Sequence, residues 1–538
     1  MPADSRLNAA LDRPMGRSAV VALGFAICVA PAWLFFDPLA SYHRDPIRLY
    51  RLRHDDFLYV ARARSWARTI EYLFIPHVTH FVPAFRILTR CLVAVAGRMS
   101  RVPQVLAWAS YAILVAVMIL TGRLVARETN RPGLGFAAMA AVGTTSVMTT
   151  VAMWYSAGQA LWAGFGVLTT LWYLQGWRRS GGGVRLVLAA LAAMLSGWFW
   201  TIGHFAGPVG AIYLWFDGRS RCRKAALVPL VATALSVALG TALAAHKIES
   251  KLSFHGRTTR EAVNPVQGVL HTGQAITEDL LLGNLGLSGI STPAQGAVIT
   301  VAVFLSWLWS RRHGWRFNSL EAAGAAFLAG SYLVEWTVRG YLPFSSLRGI
   351  LPWYDANPQI GAVLFAAGWW SGPSARKPEH ALRTMTWRAG LHVILFTIGL
   401  VVINRARVDA QCREMVPPLT PWEAEHNPGT RQQNQRTTDL AAMRAAWQRR
   451  HLAKLERAEA IANESGIGRD AIARVFGRLN APDLPSQYDA IDLLDVAPHG
   501  RESDPDRIRA ALGAYVTMEP DPRPPGLPEA EPWPISPQ

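Results

Sequence analysis

Residues 102–121 read VPQVLAWASYAILVAVMILT, an unbroken stretch without one charged side chain, and Arg123, Arg127 and Arg131 follow closely. At ~1.5 Å rise per residue, a helix of that length spans about 30 Å, the thickness of a bilayer's hydrocarbon core. It has no polar face, so a water-facing surface has no way to accommodate it. Arginines at its end are the mark of a cytoplasmic flank.

The same pattern recurs along the chain. Segments near 17–36, 102–121, 134–152, 158–176, 184–202, 204–216, 226–245, 294–310, 320–338, 358–371 and 388–404 are apolar enough to span, the shortest being 204–216 and 358–371. The expected fold class is all-α: a polytopic membrane protein with about 11 transmembrane helices, interfacial helices in a long first outer loop, and a small C-terminal helical soluble appendage. Composition agrees. Of 538 residues, 51% are hydrophobic, 21 are tryptophan and 17% are charged, whereas soluble proteins carry about 25% charged residues. Mean hydropathy is +0.15. Four cysteines are too few for a secreted disulfide scaffold.

The net charge of +17 is unevenly placed: residues 1–404 hold 37 basic and 17 acidic groups, and residues 405–538 hold 17 and 20. The basic residues sit in short loops between apolar segments, so an isoelectric point of 10.2 reports orientation rather than nucleic-acid binding. With Arg6, Arg13 and Arg17 inside, the even-numbered connections carry Arg123/Arg127/Arg131, Arg178/Arg179/Arg185, Arg219/Arg221/Arg223/Lys224, Arg311/Arg312/Arg316 and Arg376/Lys377/Arg383/Arg388. The expected location is the plasma (inner) membrane, multi-pass, with a cytoplasmic N-terminus. The first segment reads as an uncleaved span, because no small-residue cleavage site follows Phe35-Phe36-Asp37-Pro38. After the transmembrane domain, 1–404, an odd number of spans leaves 405–518 outside as a small helical extracytoplasmic domain, with a Pro-rich disordered tail at 519–538.

The first outer loop, 37–101, holds 11 arginines against 5 acidic residues, so its charge needs a reason other than orientation. Two stretches carry chemistry: Arg53-His54-Asp55-Asp56-Phe57 and Pro76-His77-Val78-Thr79-His80-Phe81-Val82-Pro83. Between them, Val60, Trp66 and Ile70 alternate with Arg62, Arg64 and Arg68 at helical spacing, the signature of a helix lying along the membrane surface. Adjacent carboxylates at a membrane boundary hold protons more tightly than in water, which suits one of Asp55 and Asp56 to general-base work. The competing reading is that the pair caps the interfacial helix and offsets its dipole.

A first span, a long outer loop opening with Asp55-Asp56-Phe57, interfacial helices and then His77, His80, Pro83 and Arg86 resemble the C-type membrane glycosyltransferases. That superfamily uses polyprenyl-phosphate-linked sugars and includes the protein O-mannosyltransferases and the lipid A aminoarabinose transferases. The likeness covers residues 17–121 in motif and 1–404 in topology. It implies a glycosyltransferase that moves a sugar from a polyprenyl-phosphate donor to an acceptor hydroxyl on a lipid, glycan or protein at the outer face. Asp55 or Asp56 matches the family's catalytic aspartate, which deprotonates or orients the acceptor.

The leaving phosphate needs positive charge aimed at it. Candidates are Arg339 and Arg348 in the last outer loop, with Tyr354, and Lys247, Lys251, Arg257 and Arg260 in the middle one; arginine offers the bidentate geometry that lysine lacks. Related sequences tend to carry an Arg-Tyr pair where this chain has Trp353-Tyr354, which makes Arg348 the stronger candidate. Arg339 has a simpler reading as a snorkelling residue at a span end, paired with Glu335 one turn earlier.

His54, His77, His80, Arg86, Trp154, Tyr155 and His204 are the expected cavity-lining residues. His77 and His80 have the chemistry to hold a divalent metal with an aspartate, or to hydrogen-bond nearby carboxylates; no metal is assigned. Cys91 and Cys412 both fall on the outer side, where a bridge is geometrically open. Neither a phosphate-binding Gly-x-x-x-x-Gly-Lys-Ser/Thr loop nor a His-Glu-x-x-His occurs, and Gly181-Gly182-Gly183 reads as a flexible turn. Two other readings remain: a transporter or flippase-like carrier, which normally shows repeated halves and broken helices, and a membrane scaffold whose 405–518 region binds a partner.

Overall fold

The computed structural model describes residues 8–42, 59–76, 80–97, 102–248, 272–284, 305–309, 317–339, 352–371 and 384–415, apart from Ala9, Ala61, Arg64 and Gly283. These residues are helical and turn, with no strand among them. Two compact units partition the chain: Met1–Tyr50 with Thr69–Cys412, and Arg51–Arg68 with Arg413–Gln538. In the second, the described residues make a short turn in which the Ala63 amide donates to Tyr59 and Val60 carbonyls, and Ser65 Oγ accepts from the Arg68 amide.

The helices are α1 (Arg17–Tyr42), α2 (Trp66–Tyr72), α3 (Pro83–Ala96), α4 (Val102–Thr129), α5 (Pro132–Gly143), α6 (Thr149–Met153), α7 (Gln159–Ser180), α8 (Gly183–Phe199), α9 (Ala206–Trp215), α10 (Ser220–Ala225), α11 (Leu227–Ile248), α12 (Ser319–Arg339), α13 (Ala356–Ser371) and α14 (Trp387–Met415). Four stretches are long and apolar enough to cross a membrane by themselves: Arg17–Phe35, Gln104–Thr129, Ser220–Ala244 and Trp387–Val408. A fifth is the pair Pro132–Gly143 and Ser146–Met153, bent by 52°. The described helices thus have the character of a multi-pass membrane protein, with four or five candidate spans by length and composition.

Sequence chemistry explains the bend. Thr144, Thr145 and Ser146 are consecutive, and hydroxyls at such positions compete for the backbone bonds a helix needs. The Thr144 Oγ1 donates to the Ala140 carbonyl at 2.7 Å, and the Ser146 amide leaves the helical ladder to donate to Asn404 Oδ1 at 2.9 Å. A span expected to run unbroken over 134–152 is therefore two helices joined by a 3-10 turn at Ser146–Met148.

Packing separates inner from outer helices. α8 shows Val184, Val187, Leu191 and Leu195 on one exposed stripe, and α11 and α14 expose Leu235, Val231, Ile398 and Val402. Contiguous apolar surface of this kind is what lipid covers and water does not. Within the bundle, small residues bring backbones together: a Cβ at Gly324 of α12 would meet the backbone of Phe365, and one at Gly361 of α13 would meet the backbone of Leu328. That is the small-residue packing of helices in membranes. α12 starts on a capping box, in which the Glu321 amide donates to Asn318 Oδ1 at 2.8 Å and the Asn318 amide points to Glu321 Oε2 at 3.4 Å.

The bundle has two chemically different ends. At one, α4, α7 and the turn after α9 meet through ions. Arg178 donates to Glu128 Oε1 at 2.8 Å and to Asp217 Oδ1 at 2.5 Å, while Tyr213 and Gln175 donate to Glu128 Oε2 at 2.8 and 2.9 Å. Arg219 reaches Asp217 Oδ2 at 2.5 Å, and the Cys222 thiol donates to the same oxygen at 2.9 Å. Burial alone would raise the Asp217 carboxyl; hydrogen bonds from Arg219 and Cys222, with the charges of Arg178 and Arg219, outweigh it and hold the group below the ordinary carboxylate range. The starts of α1 and α14 lie together at their own basic flank, where Met15 N–H donates to the Met385 carbonyl and Arg388 pairs with Asp12.

Candidate active site at the aromatic end

The opposite end of the bundle is built from the start of α3, the residues between α6 and α7, the turn after α8 and the start of α13. α3 begins on Pro83, which needs no amide partner in a first turn. Its buried face, Phe85, Thr89, Val93 and Ala96, follows helical spacing. Phe85 meets Tyr155 with ring centroids 4.9 Å apart. The Thr89 hydroxyl donates to the Phe85 carbonyl at 2.8 Å, so its single proton is used and Tyr155 donates to Thr89 Oγ1 at 2.9 Å. Arg86, on the same turn, is 4% exposed and places a guanidinium in a low-dielectric setting.

His80 precedes α3 and faces the turn after α8. Its Nδ1 lies 3.0 Å from Thr201 Oγ1, and its ring lies 5.9 Å from Trp200. Trp200 stacks on Tyr354 at 5.3 Å and 25°. The next residue, Asp355, accepts from the Tyr332 phenol at 2.6 Å, a short O–H···O bond. Tyr332, Tyr354 and Asp355 are all buried. One run of contacts therefore joins α3's entry, the α8 turn, the entry to α13 and α12.

Two groups here have buried polar atoms with no hydrogen-bond partner among the described residues. His204 sits in the 3-10 turn Thr201–Phe205 rather than in a span, with its ring against Gly197 and Nδ1 buried and unbonded. Asn357 in α13 is 0% exposed, and neither its Oδ1 nor its Nδ2 has a hydrogen-bond partner among the described residues. Buried amides without partners are uncommon and costly.

No family model, curated protein or solved structure matches the chain. The assignment of chemistry therefore rests on the residues and their placement.

Of the residues singled out from sequence, His80 and Tyr354 share the Trp200 contact run, and Arg86 and Tyr155 share the α3 face. Trp154 lies half-buried beside Tyr155, and His204 is one turn from Thr201. Arg339 ends α12, with Glu335 one turn earlier; only their backbone is described. Asp55, Asp56, His54, His77, Lys251, Arg257, Arg260 and Arg348 lie outside the described residues. Among the described residues no group of three or more His, Cys, Asp or Glu side chains is placed to hold a metal ion. Cys91 is a free, exposed thiol.

The site also holds residues that sequence reasoning did not single out: Thr89, Trp200, Thr201, Tyr332, Asp355 and Asn357. Asp355 carried a usable signal, since it is a carboxylate adjacent to Tyr354 at the start of an apolar segment. Tyr332 carried none, because a tyrosine inside an apolar run reads equally well as core.

Proposed function

We propose that the protein is a multi-pass membrane glycosyltransferase of about eleven spans, moving a sugar from a polyprenyl-phosphate donor to an acceptor hydroxyl at the outer face of the plasma membrane. The observation that carries this reading is the segregation of polar chemistry. A part-buried ion network of Arg178, Glu128 and Asp217 lies among the arginines of one end, and imidazole, phenol, carboxylate and aromatic faces gather at the other. In this reading the arginine-rich end is cytoplasmic, as the positive-inside rule requires. Asp55 or Asp56 is the base toward the acceptor, and Arg348, Arg257, Arg260 or Arg339 meets the leaving phosphate. His80, held by Thr201, and Tyr354, held by Trp200, line the cavity where the sugar sits. The 405–518 region is an outer appendage.

The test is a transfer assay. Membranes containing the full chain, incubated with labelled polyprenyl-phosphate sugars, should pass label to an acceptor. Asp55→Ala or Asp56→Ala should reach wild-type protein levels while one of them loses transfer. Equal transfer by both single variants and the double variant removes the proposed base.

A second reading, a carrier, is favoured by one observation: the bent pair of helices spanning Pro132–Met153 beside a buried amide chain. Asn404 Nδ2 donates to the Asn284 carbonyl at 3.4 Å, Asn284 Nδ2 to Gln359 Oε1 at 2.7 Å, and Gln359 Nε2 to the Ala141 carbonyl at 2.8 Å. Broken helices near buried polar groups are a transporter feature. Flux of a lipid-linked sugar across vesicles without group transfer would select that reading.

A further inference from the structure

A crevice of about 590 Å³ lies at the arginine-rich end, between the start of α5, the end of α13 and the start of α14. It is separate from the aromatic end and does not depend on the transferase reading. Its lining is graded along the helix axes. Arg131, Thr384 and Thr386 lie at the mouth, where α5 and α14 begin. Ala137, Val393 and Phe396 lie five to nine residues into α5 and α14, about 7.5–13.5 Å along the axes at 1.5 Å per residue. The rim is apolar and open: Trp370 is 76% and Phe396 44% exposed. A crevice whose rim is made of exposed tryptophan and phenylalanine opens to the bilayer rather than to water.

The mouth is electrostatically one-sided. No carboxylate is among the described residues that line the crevice. Asp12, which precedes α1, is engaged by Arg388 at the start of α14. α5 begins at Pro132 with Arg131 in the preceding position, and the first backbone bond back into that turn comes from Gly135 to the Arg131 carbonyl. The first-turn amides of Gly133 and Leu134 thus add the positive end of the helix dipole to the Arg131 charge, with two threonine hydroxyls alongside.

We propose that this crevice binds one anionic phospholipid, its phosphate seated between Arg131, the α5 N-terminus and Thr384/Thr386, and an acyl chain running along Ala137, Val393 and Phe396. Charge and hydroxyls at the mouth, and side chains that are apolar apart from His392 farther in, follow the axial order of a phospholipid. A soluble anion would use the mouth alone and leave the apolar half uncovered.

The experiment is native mass spectrometry of the full chain in detergent, titrated with phosphatidylglycerol or phosphatidylcholine, with and without excess inorganic phosphate. The expected result is preferential retention of one phosphatidylglycerol. Arg131→Gln should weaken it about fivefold, since one near-surface cation is worth ~1 kcal/mol toward an anionic headgroup. Ala137→Trp, which fills the deep half while leaving the mouth intact, should lower retention of the lipid without touching the phosphate end. Equal retention of both lipids, no effect of Arg131→Gln, or displacement of the lipid by inorganic phosphate alone would overturn the proposal. Thermal unfolding of both variants, matched to wild type, guards against loss of fold as the cause.

Discussion

The two ends of the bundle handle polar groups in opposite ways. At the arginine-rich end Arg178 is fixed between Glu128 and Asp217, and Tyr213, Gln175, Arg219 and Cys222 take up further lone pairs of those carboxylates. At the aromatic end the contacts join hydroxyl to imidazole, phenol to carboxylate, and ring to ring. An ion network of this kind holds helices in register. In the proposed reading the aromatic end instead presents imidazole, phenol and ring faces to a substrate.

The largest way to break the comparison is Arg178→Met. It leaves Glu128 and Asp217 buried with their central cation gone, and loss of one partner from a buried pair costs about 3–5 kcal/mol. Denaturant unfolding in detergent should show that loss, while sugar transfer per folded molecule stays near wild type. Tyr332→Phe removes one donor from the buried Asp355 carboxylate and should cost about 1–3 kcal/mol, with transfer also reduced. His80→Phe keeps the ring against Trp200 and deletes the nitrogen that meets Thr201; stability should fall by no more than about 1.5 kcal/mol, and transfer at least about tenfold.

The smallest effect sharpens the other end. Arg219 is 48% exposed, so Arg219→Gln should cost ~0–1 kcal/mol at neutral pH. Asp217 titrates below its unfolded value of about 3.9, so its contribution is present at neutral pH and is lost as pH falls through the lowered value. A melting-temperature series from pH 7 to pH 3 should show a steeper acid decline in wild type than in an Asp217→Asn variant.

Helical class and the arginine-rich end were legible because both depend on local composition. Residues 102–121 and 388–404 announce themselves by hydropathy, and Arg178 by its place after an apolar run. The broken helix at Thr144–Ser146 was not legible: its termination rests on Asn404, 258 positions away in sequence. Tyr332 with Asp355, and His80 with Thr201, escaped for the same reason, since each pair is made by packing of distant elements. His204 was read as the start of a span, but the extended Trp200 and the 3-10 turn after it place it between helices.

The most direct measurement compares transfer of labelled sugar per folded molecule for His80→Phe and Arg178→Met, each corrected for the folded fraction at the assay temperature. A fall of at least about tenfold for His80→Phe, with Arg178→Met unchanged after correction, is the predicted result. The reverse, full transfer by His80→Phe and loss by Arg178→Met, would place the chemistry at the arginine-rich end and contradict the account.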